Sequence, residues 1–104
     1  MDRIAGLLEI LTANPDDTFA RYALGMEYSQ AGRVDDAVSE FRTLIGKQPD
    51  YANAYFMAAQ ALAAAERVAE AKQLLQEGIT AANRARNQHA ASEMQAMLDE
   101  LELR

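Results

Sequence analysis

The residues with the widest chemical range stand together near the end of the chain. His89 is the only histidine among 104 residues, and Ser92 and Glu93 follow it at i+3 and i+4. On a helix these positions share one face, so an imidazole would have a hydroxyl and a carboxylate within reach. A nucleophile beside a base is one reading. The rest of such a site is missing. The sequence has no glycine-rich elbow and no evident oxyanion donors, and two partners on one short helix make poor triad geometry. His89 and Glu93 would also supply two metal ligands, yet a site takes three or four, and there is no second histidine and no cysteine. No catalytic, cofactor-binding or metal-ligating residue is expected, and no enzyme activity. The acidic pairs Asp16-Asp17, Asp35-Asp36 and Asp99-Glu100 read as helix caps, dipole complements and solvation. None has the spacing of a calcium loop.

Composition narrows the partners. Sixteen acidic residues outnumber ten basic ones, giving a net charge of −6, with no basic arm. A phosphate backbone would be repelled, so nucleic acid is not an expected partner. Arg84 and Arg86 form the one local basic pair near a loop and suit a solvated helix end. The lack of cysteine excludes disulfides and fits a reducing compartment. Met1-Asp2-Arg3 is not a basic leader, Glu9 interrupts the first apolar run, and no apolar stretch is long enough for a bilayer. The expectation is a cytoplasmic protein with no membrane contact.

The elements that position these residues repeat. The step from Pro15 to Pro49 also leads from Leu7 to Phe41 and on to Leu75, and from Leu11 to Ile45 and Ile79. It relates Arg33-Val34 to Arg67-Val68, Ala37 to Ala71, Tyr28 to Leu62, and Leu24-Gly25 to Ala58-Ala59. A shared register without gaps marks a repeat architecture. Each unit has two apolar stripes at helical spacing. The spacing predicts six helices, at about 2–13, 17–30, 35–47, 51–64, 69–86 and 88–103. Gly32 suits a left-handed stop, Asp35 and Asp50 are placed to cap the helices after them, and Pro49 ends one. The break at Ala65-Glu66-Arg67 has no glycine. The break at Arg86-Asn87 rests on Asn87 accepting a left-handed conformation, and a single long helix over both final segments is the alternative there.

The pattern resembles the tetratricopeptide repeat, W-x2-L-G-x2-Y, then A-x3-F, then P, over roughly 34 residues. Leu24-Gly25, Tyr28, Ala37, Phe41 and Pro49 match outright, with Arg21 at the tryptophan slot. The second unit is looser, with Tyr55, Ala58-Ala59, Leu62, Ala71, Leu75, and Asn83 at the proline slot. His89 falls at the next tryptophan slot, where packing or capping is expected of it. The resemblance implies an all-α fold, a right-handed α-α superhelix of antiparallel helix hairpins. It divides the chain into an N-terminal capping helix (1–17), two repeats (18–51 and 52–85) and a C-terminal capping helix (86–104). Ile4, Leu7, Leu8 and Leu11 would seal one end. Ala91, Met94, Leu98 and Leu101 would seal the other.

The resemblance also implies a concave groove lined by the first helix of each unit. Its residues would be Phe19, Tyr22 and Met26, then Asn53, Phe56 and Gln60, with Met94 or Met97 closing the row. Aromatic and methionine side chains there give large, adaptable contact area for a partner polypeptide. One subtype of the family grips a C-terminal carboxylate with lysines, arginines and asparagines. Here Phe19, Tyr22, Met26 and Phe56 hold those slots and only Asn53 is comparable, so that clamp is not implied. Two other readings stay open. A terminal helix folded over the same residues would make them core, and two copies could bury them as a homodimer.

Overall fold

The computed structural model describes residues 2–104. Its helices are α1 (Arg3–Ala13), α2 (Thr18–Gln30), α3 (Val34–Lys47), α4 (Ala52–Ala64), α5 (Val68–Arg84) and α6 (Gln88–Glu102). The described residues contain no strand. Each helix packs on the next in sequence, and α4 also touches α2 and α6. The result is a helical-repeat solenoid, with α2, α4 and α6 side by side along one face.

The breaks between helices have separate causes. After α2, Gly32 takes φ +77°, and the amides of Gly32 and Arg33 donate back to the carbonyls of Ser29 and Tyr28. That left-handed turn satisfies carbonyls that the helix end would orphan. One repeat on, Glu66 makes the same turn at φ +63°, and Arg67 donates to Leu62. Between α5 and α6 the left-handed residue is Arg86, at φ +59°, not Asn87 as expected from sequence. Asn87 instead caps α6, accepting from the Ala90 amide at 3.1 Å. The two helices are therefore separate. Pro49 stops α3 at Lys47. The position one repeat after Lys47 is Ala81, but Asn83 has replaced the proline, and α5 runs on to Arg84.

The acidic residues expected to cap helices divide in two. Asp17 does cap α2, accepting from Ala20 at 2.9 Å. Asp35 and Asp50 cap nothing, because α3 and α4 start directly after Arg33 and Tyr51 without a side-chain cap. Asp35 lies in the first turn of α3, where its charge suits the helix dipole. It pairs with Arg67 at 2.6 Å, while Asp50 pairs with Arg84 at 3.1 Å and Arg42 grips Glu77 with two bonds, the shorter 2.8 Å. All three pairs tie one repeat to the next.

The core sits where hairpin helices cross. A Cβ on Gly25 would lie 2.8 Å from the Phe41 ring, so only glycine lets α2 meet α3 this closely. Ala37, Phe41 and Leu44 are fully buried beneath it. In the second hairpin Ala58, Ala59, Leu62, Ala71 and Leu75 repeat the arrangement. Gly78 stands one repeat after Leu44, and the volume it vacates is taken by Met94 and Tyr55. A Cβ there would come within 2.5 Å of the Met94 sulfur.

Candidate partner-binding groove

Tyr22 is the pivot of the face formed by α2 and α4. Its ring stands edge-on to Phe41 at 5.8 Å between centroids and tilts against Tyr51 at 5.7 Å. Burial raises the pKa of its phenol, with Tyr51 adding to the effect. Phe19, Tyr22 and Met26 line one hollow, together with Arg3, Ala23 and Glu27. Arg3 and Glu27 close it as an ion pair at 2.6 Å. Tyr22 and Met26 are half-buried, whereas Phe19 is 79% exposed. Along α4, Phe56 is half-buried, and Asn53 and Gln60 are exposed.

Asn53 belongs to a second, more polar hollow between the start of α4 and α6. It shares that hollow with Tyr51, Asn87, His89 and Glu93. Asn87 was legible in the register, since it stands one repeat after Asn53, but its neighbours from α6 were not. His89 itself is 87% exposed and lies 3.8 Å from Glu93. The packing role expected at its slot is absent for a geometric reason. Arg21 and Tyr55, at the same slot, each face a following helix of their own hairpin, and α6 has none among the described residues. Arg21 bonds Glu40 at 2.7 Å and the Pro15 carbonyl at 3.0 Å. Tyr55 donates its hydroxyl to the Pro49 carbonyl at 2.6 Å.

Met94 is not on this face. It stands one and two repeats after Gln60 and Met26, yet it is 1% exposed. The space above Gly78 draws its thioether inward, so it seals α6 to the second hairpin instead of offering contact to a partner. Met97 is half-buried. No group of three or more candidate metal ligands occurs among the described residues. None of their helices is long and apolar enough to cross a membrane.

Comparison with known proteins decides the family. The tetratricopeptide repeat model matches residues 22–90, two thirds of the chain and the whole of both crossings described above. The chain is a tetratricopeptide-repeat protein. A TPR repeat-containing protein of Pseudomonas aeruginosa is 27% identical over 99 residues, covering 95% of this chain and 94% of its own. The fold agrees with the solution structure of a Bordetella parapertussis protein at a TM-score of 0.82, with 24% identity over 98% of this chain and 89% of that one. The TPR2B domain of yeast Sti1, solved as a pHsp70 complex, superposes at 0.84 with 19% identity, covering 96% of this chain and 80% of that one.

Proposed function

We propose that this tetratricopeptide-repeat protein is a non-catalytic, cytoplasmic interaction module that holds a partner polypeptide on the face of α2 and α4. Phe19, Tyr22, Met26 and Phe56 are the apolar anchors, and Asn53 and Gln60 are the polar contacts beside them. The observation that carries this reading is the trio Phe19, Tyr22 and Met26 around one hollow, with Phe19 largely exposed. A large aromatic surface exposed beside half-buried apolar neighbours suits burial against a ligand. The Sti1 domain, which shares the fold, is solved with pHsp70. In this chain the corresponding face is apolar where a carboxylate clamp would need cations, so the favoured ligand is an apolar helix or extended segment, not an acidic chain end.

Affinity capture from lysate with the wild type and with Tyr22→Ala plus Phe56→Ala tests the assignment. Captured partners should be lost in the double variant while its helical circular dichroism persists. Both side chains are partly buried, so Phe19→Asp serves as a second variant that leaves the core untouched. Partners retained by both variants would remove the groove from consideration.

A further inference from the structure

We propose that the partner held on α2 and α4 carries a lysine or arginine beside its apolar anchors, and that this cation takes the place of Arg3 on Glu27. The inference rests on the groove proposed above and names the charge of its ligand. Glu27 lines the same hollow as Phe19, Tyr22 and Met26. Its carboxylate is mostly buried, at 17% side-chain exposure, and among the described residues it has one ionic partner, Arg3 at 2.6 Å. The Arg3 side chain is 80% exposed. The two halves of the pair are therefore held differently, the acid by the fold and the base by little besides the acid.

No other charge of α2 or α4 is free to meet a ligand. α4 contains no charged residue. The other charged residue of α2 is Arg21, which is mostly buried and turned to Glu40 of α3 at 2.7 Å. Arg3 is the first residue of α1, where the helix dipole disfavours a cation. Among the described residues α1 packs on α2 alone and buries only Leu11. Arg3 thus reaches Glu27 from the helix with the fewest neighbours, on a long side chain whose ordering costs rotamer entropy. The chain itself shows what the hollow accepts beside its aromatic surface, a guanidinium on a carboxylate.

A segment laid across Phe19, Tyr22 and Met26 covers the rim where Arg3 lies on Glu27. An apolar segment there takes the carboxylate further from water, and a buried charge is costly unless it is paired. A cation on the segment offsets that cost. It exchanges one ion pair for another while Arg3 returns to solvent, and a pair enclosed by the complex is screened by salt less than the one it replaces. The apolar anchors supply the affinity, and the charge decides which apolar segments are accepted. An acidic residue at that point is repelled by Glu27, and a neutral one must enclose Arg3 as well. The net charge of −6 draws a basic partner in the same direction.

The test selects ligands for the full chain from a phage-displayed library of random peptides and keeps those whose binding Phe19→Asp abolishes. Peptides drawn only by overall acidity fail this filter, since Phe19→Asp adds to that acidity. The retained peptides should share a lysine or arginine beside apolar residues. Replacing that residue by glutamine should weaken binding to the wild type about tenfold or more. The same replacement should have little effect on binding to Glu27→Gln, whose helical circular dichroism should match the wild type. Arg3→Gln should tighten binding, because it removes the cation to be displaced. Arg3→Glu combined with Glu27→Lys keeps the pair with its polarity reversed, so selection on that variant should return aspartate or glutamate at the same place. Retained peptides without a shared basic residue would overturn the inference and leave the groove standing, as would a basic residue that matters equally to Glu27→Gln. Weaker binding to Arg3→Gln would also overturn it, by making Arg3 a fixed part of the floor. A library with no peptide sensitive to Phe19→Asp would remove the groove itself, and the cation with it.

Discussion

Gly25 and Gly46 show how differently one residue type acts at two helical positions. Glycine inside a helix costs about 0.5–1 kcal/mol relative to alanine. At Gly46 a Cβ would meet nothing within 4 Å, so Gly46→Ala should stabilise the fold by about that amount. At Gly25 the same methyl would lie 2.8 Å from a fully buried ring. Gly25→Ala should therefore lower stability, and Gly25→Leu should cost about 1–3 kcal/mol or more by overpacking. Phe41→Ala, which empties the other side of the contact, should cost about 3–5 kcal/mol. Urea midpoints of the four variants check the signs, and a stabilising Gly25→Ala would contradict the crossing. Tyr22 adds a pH dependence at the same scale. Its folded pKa is raised by burial, so folding favours the neutral phenol. That contribution is complete below the ordinary phenol value of about 10 and is lost as pH rises through the folded value. The phenolate absorbance that Tyr22→Phe removes should appear at higher pH than that of a free tyrosine. Gly25 was legible in sequence because it sits in the repeat signature. The need for glycine at Gly78 was not, since the matching position holds Leu44 and the reason lies across space in Met94.

Helix by helix, the periodicity located all six elements to within two residues at either end, because each carries an apolar stripe bounded by a break. The same periodicity placed Phe19, Tyr22 and Met26 around one hollow, whereas Asn53 falls in a second hollow and Met94 in the core. What eluded the sequence was the chemistry of the breaks. A left-handed stop was readable at Gly32, where glycine advertises it, and unreadable at Arg86, where no side chain does. Glu66 and Arg86 adopt positive φ because the helix ends there demand the turn, and both hold a conformation disfavoured for residues with a Cβ. Glu66→Gly should relieve that strain and raise stability by about 0.5–1 kcal/mol, and Arg86→Gly should do likewise. Thermal melts of the single and double variants decide it. The two sites lie on different loops, so their effects should add. If Glu66→Gly melts below the wild type, the side chain there contributes something the turn geometry does not reveal.

Across the whole molecule, stability should fall from the centre to the N-terminal end. Seven residues of α4 are buried, and it packs on α2, α3, α5 and α6. One residue of α1, Leu11, is buried, and that helix rests on α2 alone. The α6 end differs in kind, since Met94, Leu98 and Leu101 bury themselves against α5 and α4. A linear array whose units contact only their neighbours need not open all at once. Native-state hydrogen exchange should therefore show α4 amides exchanging only on global unfolding, with α1 amides opening at a smaller free energy and α6 between them. An ion pair ties the largely exposed Arg3 of α1 to the mostly buried Glu27 of α2. Such a pair contributes at most about 1 kcal/mol, so Glu27→Gln should loosen α1 slightly without touching α4. Equal protection of α1 and α4 would mean that the six helices unfold as one unit. A gradient would mean the reverse, with the first helix opening before the rest because it packs on one neighbour where every other described helix packs on at least two.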